Sequence, residues 1–380
     1  MSTIYIHWAY CLSKCHYCDF NSVSCNKDLD YRVWFYAYKR ILQFYRKKFY
    51  KNEPITSIYF GGGTPSLLPS WFIASILDEI NNTFNLDTNV EITLEANPKT
   101  IDKIKATELR SAGINRLSVG VQSIIDSDLK MLGRTHTAQE AKDCVFEMAE
   151  IFDNLSIDVI YNRPGQNLQR WKQELDEVLQ YPINHISLYE LIVEPNTKLK
   201  AMIAAGTLPM PSVSSEFFEA TIKTARSYGF EMYEVSNFAK NKHYGKHNIS
   251  YWRYEDYYGI GAGAHSRCTV NGHKVAIAQV SDNEKWLKWA METENPALDE
   301  EVLTEDDEFK ERLIMGLRSK FGIKLDIISE RIKAKYGLEN KLKKLRANSY
   351  IIHKGDDVVL TDEGIMKLNL IVRYLTEKCV

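Results

Sequence analysis

The stretch Cys11-Leu12-Ser13-Lys14-Cys15-His16-Tyr17-Cys18 places three cysteines within eight residues, directly after a predicted strand over Ile4–Trp8. Thiolates are common protein ligands of iron–sulfur clusters, and four of them saturate a [4Fe–4S] cubane. Cys11, Cys15 and Cys18 would hold three iron corners and leave the fourth iron open. The spacing therefore predicts a [4Fe–4S] cluster with one coordination site free for another ligand.

An open iron can chelate the amino and carboxylate groups of S-adenosylmethionine and hold its sulfonium beside the cluster. One electron from the cluster then cleaves the S–C5′ bond and releases a 5′-deoxyadenosyl radical. A structural zinc site is the competing interpretation, but it needs a fourth ligand at a partner spacing. Neither His16 nor Cys25 is suitably placed for that role. A chance group of structural cysteines remains as a second alternative.

The chain has 380 residues, of which 44% are hydrophobic and 26% are charged, and its formal net charge is −2. The length predicts one large domain plus a smaller one, and the composition is that of an ordinary globular protein. So small a net charge would not recruit nucleic acid or an anionic membrane. No apolar run approaches the ~20 residues that span a bilayer, and no signal peptide precedes the strand at Thr3–Ile6. These features predict a cytoplasmic protein without a transmembrane segment.

Four further cysteines lie outside the motif: Cys25, Cys144, Cys268 and Cys379. A disulfide framework is expected in a small secreted chain and not in a large cytosolic one. We therefore interpret Cys144, Cys268 and Cys379 as buried or incidental thiols rather than ligands.

Short apolar runs alternate with longer amphipathic segments over the first two-thirds of the chain. The predicted strands are Ile4–Trp8, Ile55–Phe60, Val90–Glu95, Arg116–Gly120, Leu155–Ile160, His185–Leu191 and Glu231–Val235. The predicted helices are Tyr31–Tyr50, Trp71–Asn82, Ile101–Ala112, Ala138–Ile151, Gln169–Tyr181 and Ser214–Tyr228. Such repeats favour parallel strands with helical crossovers, and hence an α/β fold with a partial or complete (β/α) barrel. A doubly wound sheet is the alternative, with its ligand at a single switch point.

The pattern changes near residue 240. Residues 1–240 are the predicted barrel core, residues 241–301 a loop-rich connecting region, and residues 302–380 a small C-terminal domain. Asn241–His265 has poor periodicity, which is typical of an ordered loop that covers one end of a barrel. The C-terminal segment combines helices, a short hairpin and a last helix capped by Thr361. That order predicts an α+β winged-helix-like domain.

Glycines and polar residues stand at the predicted strand ends, where barrels bind their ligands. Gly61-Gly62-Gly63-Thr64 follows one strand, and its glycines allow the backbone to approach a ligand and expose amide and carbonyl groups to it. Glu95 ends the next strand, Gln122 follows the one after, and Asp158 lies within the fifth. We expect Glu95 or Asp158 to accept from ribose hydroxyls and Arg134 to pair with the methionine carboxylate.

Specific short motifs extend over nearly the whole chain. They are Tyr5-Ile6-His7, Cys15-His16-Tyr17-Cys18-Asp19-Phe20-Asn21-Ser22, Tyr59-Phe60-Gly61-Gly62-Gly63-Thr64-Pro65, Glu95-Ala96-Asn97-Pro98, Gly120-Val121-Gln122-Ser123, Leu132-Gly133-Arg134-Thr135-His136, Arg163-Pro164-Gly165-Gln166, His247-Asn248-Ile249-Ser250-Tyr251-Trp252, Gly259-Ile260-Gly261-Ala262-Gly263-Ala264-His265-Ser266 and Leu360-Thr361-Asp362-Glu363-Gly364. Together they resemble the oxygen-independent coproporphyrinogen III oxidase-like radical S-adenosylmethionine (radical SAM) proteins, and among them the haem chaperone branch, HemW.

Two features favour the chaperone branch. The oxidases of the family carry a fourth cysteine two positions after the third, where this chain has Phe20, and an N-terminal extension before the strand that here begins near Tyr5. The family usually has Ile-Pro-aromatic before the first cysteine, whereas this chain has Trp8-Ala9-Tyr10. The missing proline loosens a turn but leaves the cysteine spacing intact.

The resemblance implies which residues surround the ligands. Its S-adenosylmethionine shell comprises Tyr5, Tyr17, Gly62, Gly63, Thr64, Glu95, Gln122, Arg134 and Asp158. It also implies that the motif with His247, Tyr251 and Trp252 is involved with haem, and His7 is the other candidate for an axial ligand. Members of the branch are understood to deliver haem to haem proteins, which here would include membrane-associated respiratory enzymes, without oxidase activity.

Two functions are alternatives to haem delivery. The first is oxidative decarboxylation of porphyrinogen propionates, against which Phe20 and the missing extension argue. The second is nucleic-acid modification through the C-terminal domain, which is nearly neutral and lacks a basic footprint. The basic run Trp34–Lys51 has a helical period and is interpreted as an outer barrel helix with a solvated face. The sequence names neither the electron donor nor the haem acceptor, and it leaves open whether cofactor cleavage yields a product.

Overall fold

The computed structural model describes residues 1–25, 28–212, 215–293 and 299–378. Two residues named above, Cys379 and Ser214, lie outside the described residues. The strands in chain order are β1 Ser2–Trp8, β2 Tyr10–Cys11, β3 Val23–Ser24, β4 Ile55–Gly62, β5 Leu86–Ala96, β6 Arg116–Gln122, β7 Leu155–Tyr161, β8 His185–Glu190, β9 Glu231–Glu234, β10 Asn237–Ala239, β11 Asp256–Ile260, β12 His265–Val270, β13 His273–Ala278, β14 Asp299–Val302, β15 Ile323–Lys324, β16 Ile351–Lys354 and β17 Asp357–Leu360.

The helices connect these strands and form the outer layer. In chain order they are α1 Tyr31–Lys48, α2 Ser70–Thr83, α3 Lys103–Ser111, α4 Asp126–Leu132, α5 Ala138–Ala149, α6 Leu168–Val178, α7 Lys198–Ala204, α8 Ser215–Ser227, α9 Lys246–Trp252, α10 Asn283–Glu292, α11 Glu305–Gly316, α12 Glu330–Tyr336, α13 Leu338–Ala347, α14 Asp362–Ile365 and α15 Leu368–Thr376. No helix among the described residues is long and apolar enough to cross a membrane.

One twelve-stranded sheet forms the main body, in the order β14-β13-β12-β11-β1-β4-β5-β6-β7-β8-β10-β9. Neighbouring strands from β11 to β8 are parallel, and the strands added at both ends are antiparallel. The fold is therefore α/β, with a partial (β/α) barrel at its centre, as the strand–helix alternation predicts. In such a barrel the carboxyl ends of the parallel strands meet at one face.

Burial of the parallel strands and amphipathic helices produces this layering. All but one residue of β1 are buried, which is typical of a strand covered on both faces. Helix α1 is capped by Asp30, whose side chain accepts from the Arg32 backbone N–H. Its buried residues, including Trp34, Tyr38 and Tyr45, recur at helical spacing, while its last turn is basic. The run Trp34–Lys51 thus forms an outer helix, as expected.

Residues 241–301 differ from the expected loop-rich region. The described residues of this range, 241–293 and 299–301, form the helices α9 and α10 and four strands or parts of strands that extend the main sheet, with β11 parallel to β1. The expectation failed because Asn241–His265 contains tyrosines, histidines and glycines in place of an apolar repeat. Helix α9 spans only seven residues, which is too short for periodicity to reveal. The division of domains at residues 240 and 301 remains a prediction.

The C-terminal segment has its own hydrophobic core. Strands β15, β17 and β16 form a three-stranded antiparallel sheet, and the hairpin joins Ile351–Lys354 to Asp357–Leu360. The core residues that α11, α12, α13 and α15 contribute include Leu313, Ile332, Tyr336, Leu345 and Leu375, and β17 contributes Val358. Helices around a small hairpin sheet agree with the expected winged-helix-like character of this part.

Candidate functional site

One cavity of about 420 Å³ lies at the carboxyl ends of the parallel strands. It contains all three motif cysteines and most of the residues that the resemblance places around S-adenosylmethionine. The site residues that line it are Cys11, Cys15, Cys18, Tyr17, Gly62, Gly63, Thr64, Glu95, Gln122, Arg134 and Asp158. Strands β4, β5, β6 and β7 and the cysteine loop after β1 therefore bring residues that are distant in sequence to a single site.

The three cysteines lie in the loop that follows β1. Cys11 ends β2, which pairs with β3, and the Cys18 backbone N–H donates to the Cys15 carbonyl at 3.3 Å. Burial and the neighbouring Cys15 and Cys18 thiols raise the pKa of Cys11. That mutual effect is expected of thiols that face a common space.

The candidate donor set consists of three cysteine thiols on the wall of one cavity. No group of three or more His, Cys, Asp or Glu in the described part of the chain is close enough to hold one metal ion. Each thiolate of a cubane binds a different iron, so its sulfurs stand farther apart than the ligands of one zinc. Three cysteine sulfurs around a cavity wall agree with the cluster prediction.

Arg134 connects the cysteine loop to the strand ends. Its Nη1 donates to the Cys15 Sγ at 3.3 Å and its Nη2 to the Gly120 carbonyl at 2.7 Å. Burial acts to lower the pKa of Arg134, but Tyr17 and Cys15 outweigh it and raise that pKa. The buried Nε atom has no hydrogen-bond partner. A guanidinium with a spare donor at this position suits the carboxylate of a bound ligand.

The glycine run packs against the cysteine loop. Gly62 has a φ of +111°, and a Cβ there would lie 2.6 Å from the His7 ring. A Cβ on Gly63 would lie 2.5 Å from the Tyr10 carbonyl oxygen. The amide groups of Gly62 and Gly63 already donate to Glu95 and to the Trp8 carbonyl. Gly62 and Gly63 thus allow the backbone at the end of β4 to approach the backbone at the junction of β1 and β2 closely. We expected their amide groups to face a ligand, but both amides are hydrogen-bonded within the protein.

Two carboxylates form the opposite wall. Glu95 accepts from the Tyr59 hydroxyl at 2.9 Å and from the Gly62 N–H at 3.2 Å. Burial, followed by the charge of Asp158, raises the pKa of Glu95 to about 7. Burial also raises the pKa of Asp158, whose Oδ1 accepts from the Ser118 hydroxyl at 3.2 Å. Both carboxyl groups offer oxygen acceptors to ligand hydroxyls, and Glu95 is partly protonated at neutral pH.

Tyr5 and His7 lie on β1 beside this wall. The Nε2 of His7 donates to the Asn21 carbonyl at 2.9 Å, so its Nδ1 accepts from the Tyr5 hydroxyl at 3.0 Å. Burial lowers the pKa of His7 and keeps the ring neutral. Both ring nitrogens are therefore occupied by protein partners.

His247 lies elsewhere. Its ring stacks on Tyr59 with centroids 4.9 Å apart, and it shares hydrogen bonds with Ser57 at 2.9 Å and Tyr251 at 3.1 Å. Burial, together with Arg116, lowers its pKa to about 3. His247 does not line the cysteine cavity, and its two nitrogens are engaged. Trp252, the last residue of the motif, lines a different cavity.

Several residues of the site were not anticipated from the sequence. Ser118 bonds Asp158, Tyr59 bonds Glu95, and Lys14 donates from its Nζ to the Phe20 and Ser22 carbonyls, which holds the cysteine loop. Alternation along a strand is a signal that identifies Ser118, because it shares a face with the predicted residue Gln122. Loop contacts such as those of Lys14 leave no periodic signal.

Comparisons with known proteins agree with this geometry. Residues 5–178 match the family described as the Radical SAM superfamily. The heme chaperone HemW of Haemophilus influenzae is 32% identical over 99% of this chain and 98% of that protein. A zebrafish protein, radical S-adenosyl methionine domain-containing protein 1, mitochondrial, is 32% identical over 98% of this chain and 86% of its own length.

A solved structure extends the likeness to the whole fold. The coproporphyrinogen III oxidase HemN of Escherichia coli superimposes with a TM-score of 0.82, covering 99% of this chain and 90% of that one. The two sequences are 19% identical, so this likeness concerns the fold alone.

Proposed function

We propose, from the premise that the chain belongs to the HemW family of the radical SAM superfamily, that it is a haem chaperone that binds haem and delivers it to acceptor haem proteins. The observation that carries the proposal is the likeness to HemW over almost the full length of both proteins. Phe20 adds support, because it occupies the position where the resemblance assigns the oxidases a fourth cysteine. Its exposed side chain lines the cysteine cavity.

The cysteine cavity would hold the cofactors. Cys11, Cys15 and Cys18 would ligate three irons of a [4Fe–4S] cluster. Arg134 would then orient the loop through Cys15 and present its free Nε to the carboxylate of S-adenosylmethionine. When bound, these cofactors supply a one-electron cleavage of the S–C5′ bond.

The remaining shell residues position and shield the ligand. Glu95 and Asp158 would accept hydrogen bonds from ribose hydroxyls, and Tyr59 keeps Glu95 fixed from behind. The hydrogen-bonded Tyr5 and His7 side chains on β1 pack against Gly61 and Gly62. Tyr17, Gln122 and Thr64 complete the predicted shell on the cavity wall.

The haem residues stay predictions. His247 and His7 each have both ring nitrogens engaged, so axial ligation by either would require those hydrogen bonds to break. Tyr251 holds His247, and Trp252 borders an open cavity. Delivery to respiratory enzymes and the cytoplasmic location also remain proposals, and the name of the zebrafish relative places that protein in mitochondria.

A single anaerobic experiment tests the function. The purified protein is reconstituted with iron and sulfide, and haem binding is followed at the Soret band. The same sample then receives coproporphyrinogen III, reductant and S-adenosylmethionine. We expect haem binding without porphyrinogen decarboxylation. Formation of protoporphyrinogen would make the protein an oxidase that works without a fourth cysteine, which is the alternative function.

A further inference from the structure

A second cavity, of about 660 Å³, lies between the end of α9 and the C-terminal domain. The segment Trp252–Glu255 forms one side of it. The opposite side consists of α11, the segment Lys320–Lys324 that includes β15, and the turn end of the hairpin at Lys354 and Asp357. Its volume is within the range of about 300–1,000 Å³ that is usual for small-molecule sites. None of the cysteine-cavity residues borders it.

The charge of this cavity is strongly positive, although the whole chain is nearly neutral. Only two acids, Glu255 and Asp357, line it. The cations that line it are Arg253, Arg312, Lys320, Lys324 and Lys354.

Some of these cations are already neutralised and others are not. Lys320 pairs with Glu231 at 2.8 Å, and Arg312 pairs with Glu308 at 3.5 Å. Within the described residues Arg253, Lys324 and Lys354 form no ion pair. Asp357 is the cross-strand neighbour of both Lys324 and Lys354, so the five cations exceed the two acids of the cavity by three charges. An excess of cations around one concave site attracts a ligand with more than one negative charge.

Flat apolar surfaces lie between the charges. Trp252 and Phe321 border the cavity, and the Arg253 guanidinium carbon is 4.7 Å from the Phe321 ring centre. The side chain of Ile327 is 53% exposed at the same rim. Aromatic and aliphatic walls beside free cations suit a ligand with a broad apolar face and acidic groups at its edge.

We propose that this cavity binds the porphyrin of haem, with Lys324, Lys354 and Arg253 facing its propionates and Trp252 packed against the macrocycle; the inference rests on the haem function proposed above. His247 then acts as a positioning residue and not as an axial ligand. Its hydrogen bond to Ser57 on β4 anchors α9 to the barrel, its bond to Tyr251 lies within α9, and α9 ends at Trp252 on the cavity wall.

In this proposal the cavity recognises the propionate carboxylates of haem. Three probes distinguish such binding from binding through a bond between a histidine and the haem iron. They are haem, metal-free protoporphyrin IX and its dimethyl ester, each titrated into the reconstituted full-length protein. Binding through propionates predicts that haem and protoporphyrin bind with similar Kd values. The dimethyl ester should bind about tenfold more weakly. A histidine–iron bond predicts instead that removing the metal abolishes binding.

Matched variants place the ligand. Lys324 and Lys354 are exposed, so the double change Lys324→Glu, Lys354→Glu should leave the fold intact and weaken haem binding about tenfold. The control is Lys343→Glu, Lys344→Glu on α13, which alters the same charge on the same domain away from the cavity. Equal haem Kd values for the two double variants would contradict the proposal that this cavity is the haem site. They would not contradict the proposal that the protein binds haem. Failure of the wild type to bind either porphyrin would overturn the haem function itself.

Discussion

The Arg134 guanidinium donates a hydrogen bond to the sulfur of Cys15 across 3.3 Å, although the two residues are 119 positions apart. A second bond from the same guanidinium reaches the Gly120 carbonyl at the end of β6. Arg134 therefore ties the cysteine loop to the barrel and brings a positive charge to the sulfur of a predicted cluster ligand. Charge-assisted bonds of this kind are stronger than neutral ones.

Loss of this guanidinium should weaken binding of S-adenosylmethionine. For Arg134→Gln we expect an affinity about tenfold lower, because the partner of the methionine carboxylate is gone, with iron content unchanged since all three cysteines remain. Equilibrium dialysis of labelled S-adenosylmethionine and iron analysis measure the two quantities. Arg110→Gln removes an exposed arginine paired with Asp153 and is the control. Equal affinities in the two variants would contradict the role of Arg134.

Replacing one motif cysteine should abolish the cluster. Cys15→Ala removes one of three iron ligands, and we expect iron and sulfide content after anaerobic reconstitution to fall to background with the far-ultraviolet circular dichroism unchanged. Cys144→Ala is the matched control, because Cys144 is a buried thiol on α5 that does not border the cavity. Full iron and sulfide content in Cys15→Ala would disprove the ligand assignment.

The raised pKa of Glu95 predicts a pH-dependent stability. Its native-state pKa is about 7, above the ordinary 4.5, so the native protein binds a proton that the unfolded chain has released between these values. The free energy of unfolding should therefore fall as pH rises through this window. Glu95→Gln removes the titration, and its stability relative to wild type should rise by on the order of 1–2 kcal/mol between pH 5 and pH 8.

Urea unfolding at both pH values measures this difference. The control is Glu150→Gln, which alters an exposed carboxylate paired with Lys103. Its stability difference from wild type should be the same at the two pH values. A constant difference for Glu95→Gln as well would show that Glu95 does not titrate in this range.

The barrel and most of the residues of its site can be predicted from the sequence because both depend on patterns within short segments. Strand–helix alternation predicts parallel strands, and parallel strands place Glu95 and Asp158 at one edge. Cysteine spacing predicts the cluster loop without knowledge of the fold. Its place among the polar residues at the predicted strand ends assigns Arg134 to the ligand, although in the structure it follows α4. Its bond to Cys15 joins distant segments and has no local signature.

A local motif does not show how its residues pack against distant segments. His247 stands in a motif with aromatic neighbours, which favoured an open haem site, yet its ring is buried between Tyr59 and Tyr251. The stack depends on how α9 enters the barrel. The basic cavity was missed for a similar reason, since its cations come from segments as far apart as Arg253 and Lys354. Neither segment is unusually basic by itself.

His247→Ala should reduce stability much more than haem binding. The change removes a buried ring and two hydrogen bonds, so we expect the free energy of unfolding to drop by about 2–4 kcal/mol. Tyr251→Phe removes one of those bonds and should cost about 1 kcal/mol. His273→Ala, which removes an exposed histidine, is the control. Unchanged stability in His247→Ala with loss of the Soret shift would instead identify an axial ligand.

Arg163, the first residue of the motif Arg163-Pro164-Gly165-Gln166, forms a buried ion pair with Glu174 on α6. Arg163 and Glu174 have side chains that are 0% and 1% exposed and are hydrogen-bonded to each other, and Glu174 also accepts from the Ser123 hydroxyl at 2.6 Å. This pair joins the end of β7 to α6 and to the turn after β6. Glu174→Gln leaves Arg163 with only Asp128, 3.0 Å away, as a charged partner, and should lower the free energy of unfolding by about 3–5 kcal/mol. Glu177→Gln, one helical turn later on the exposed pair with Lys142, should lower it by less than about 1 kcal/mol. Urea unfolding of both variants tests the contrast, and equal losses would mean that the buried pair contributes no more than a surface one.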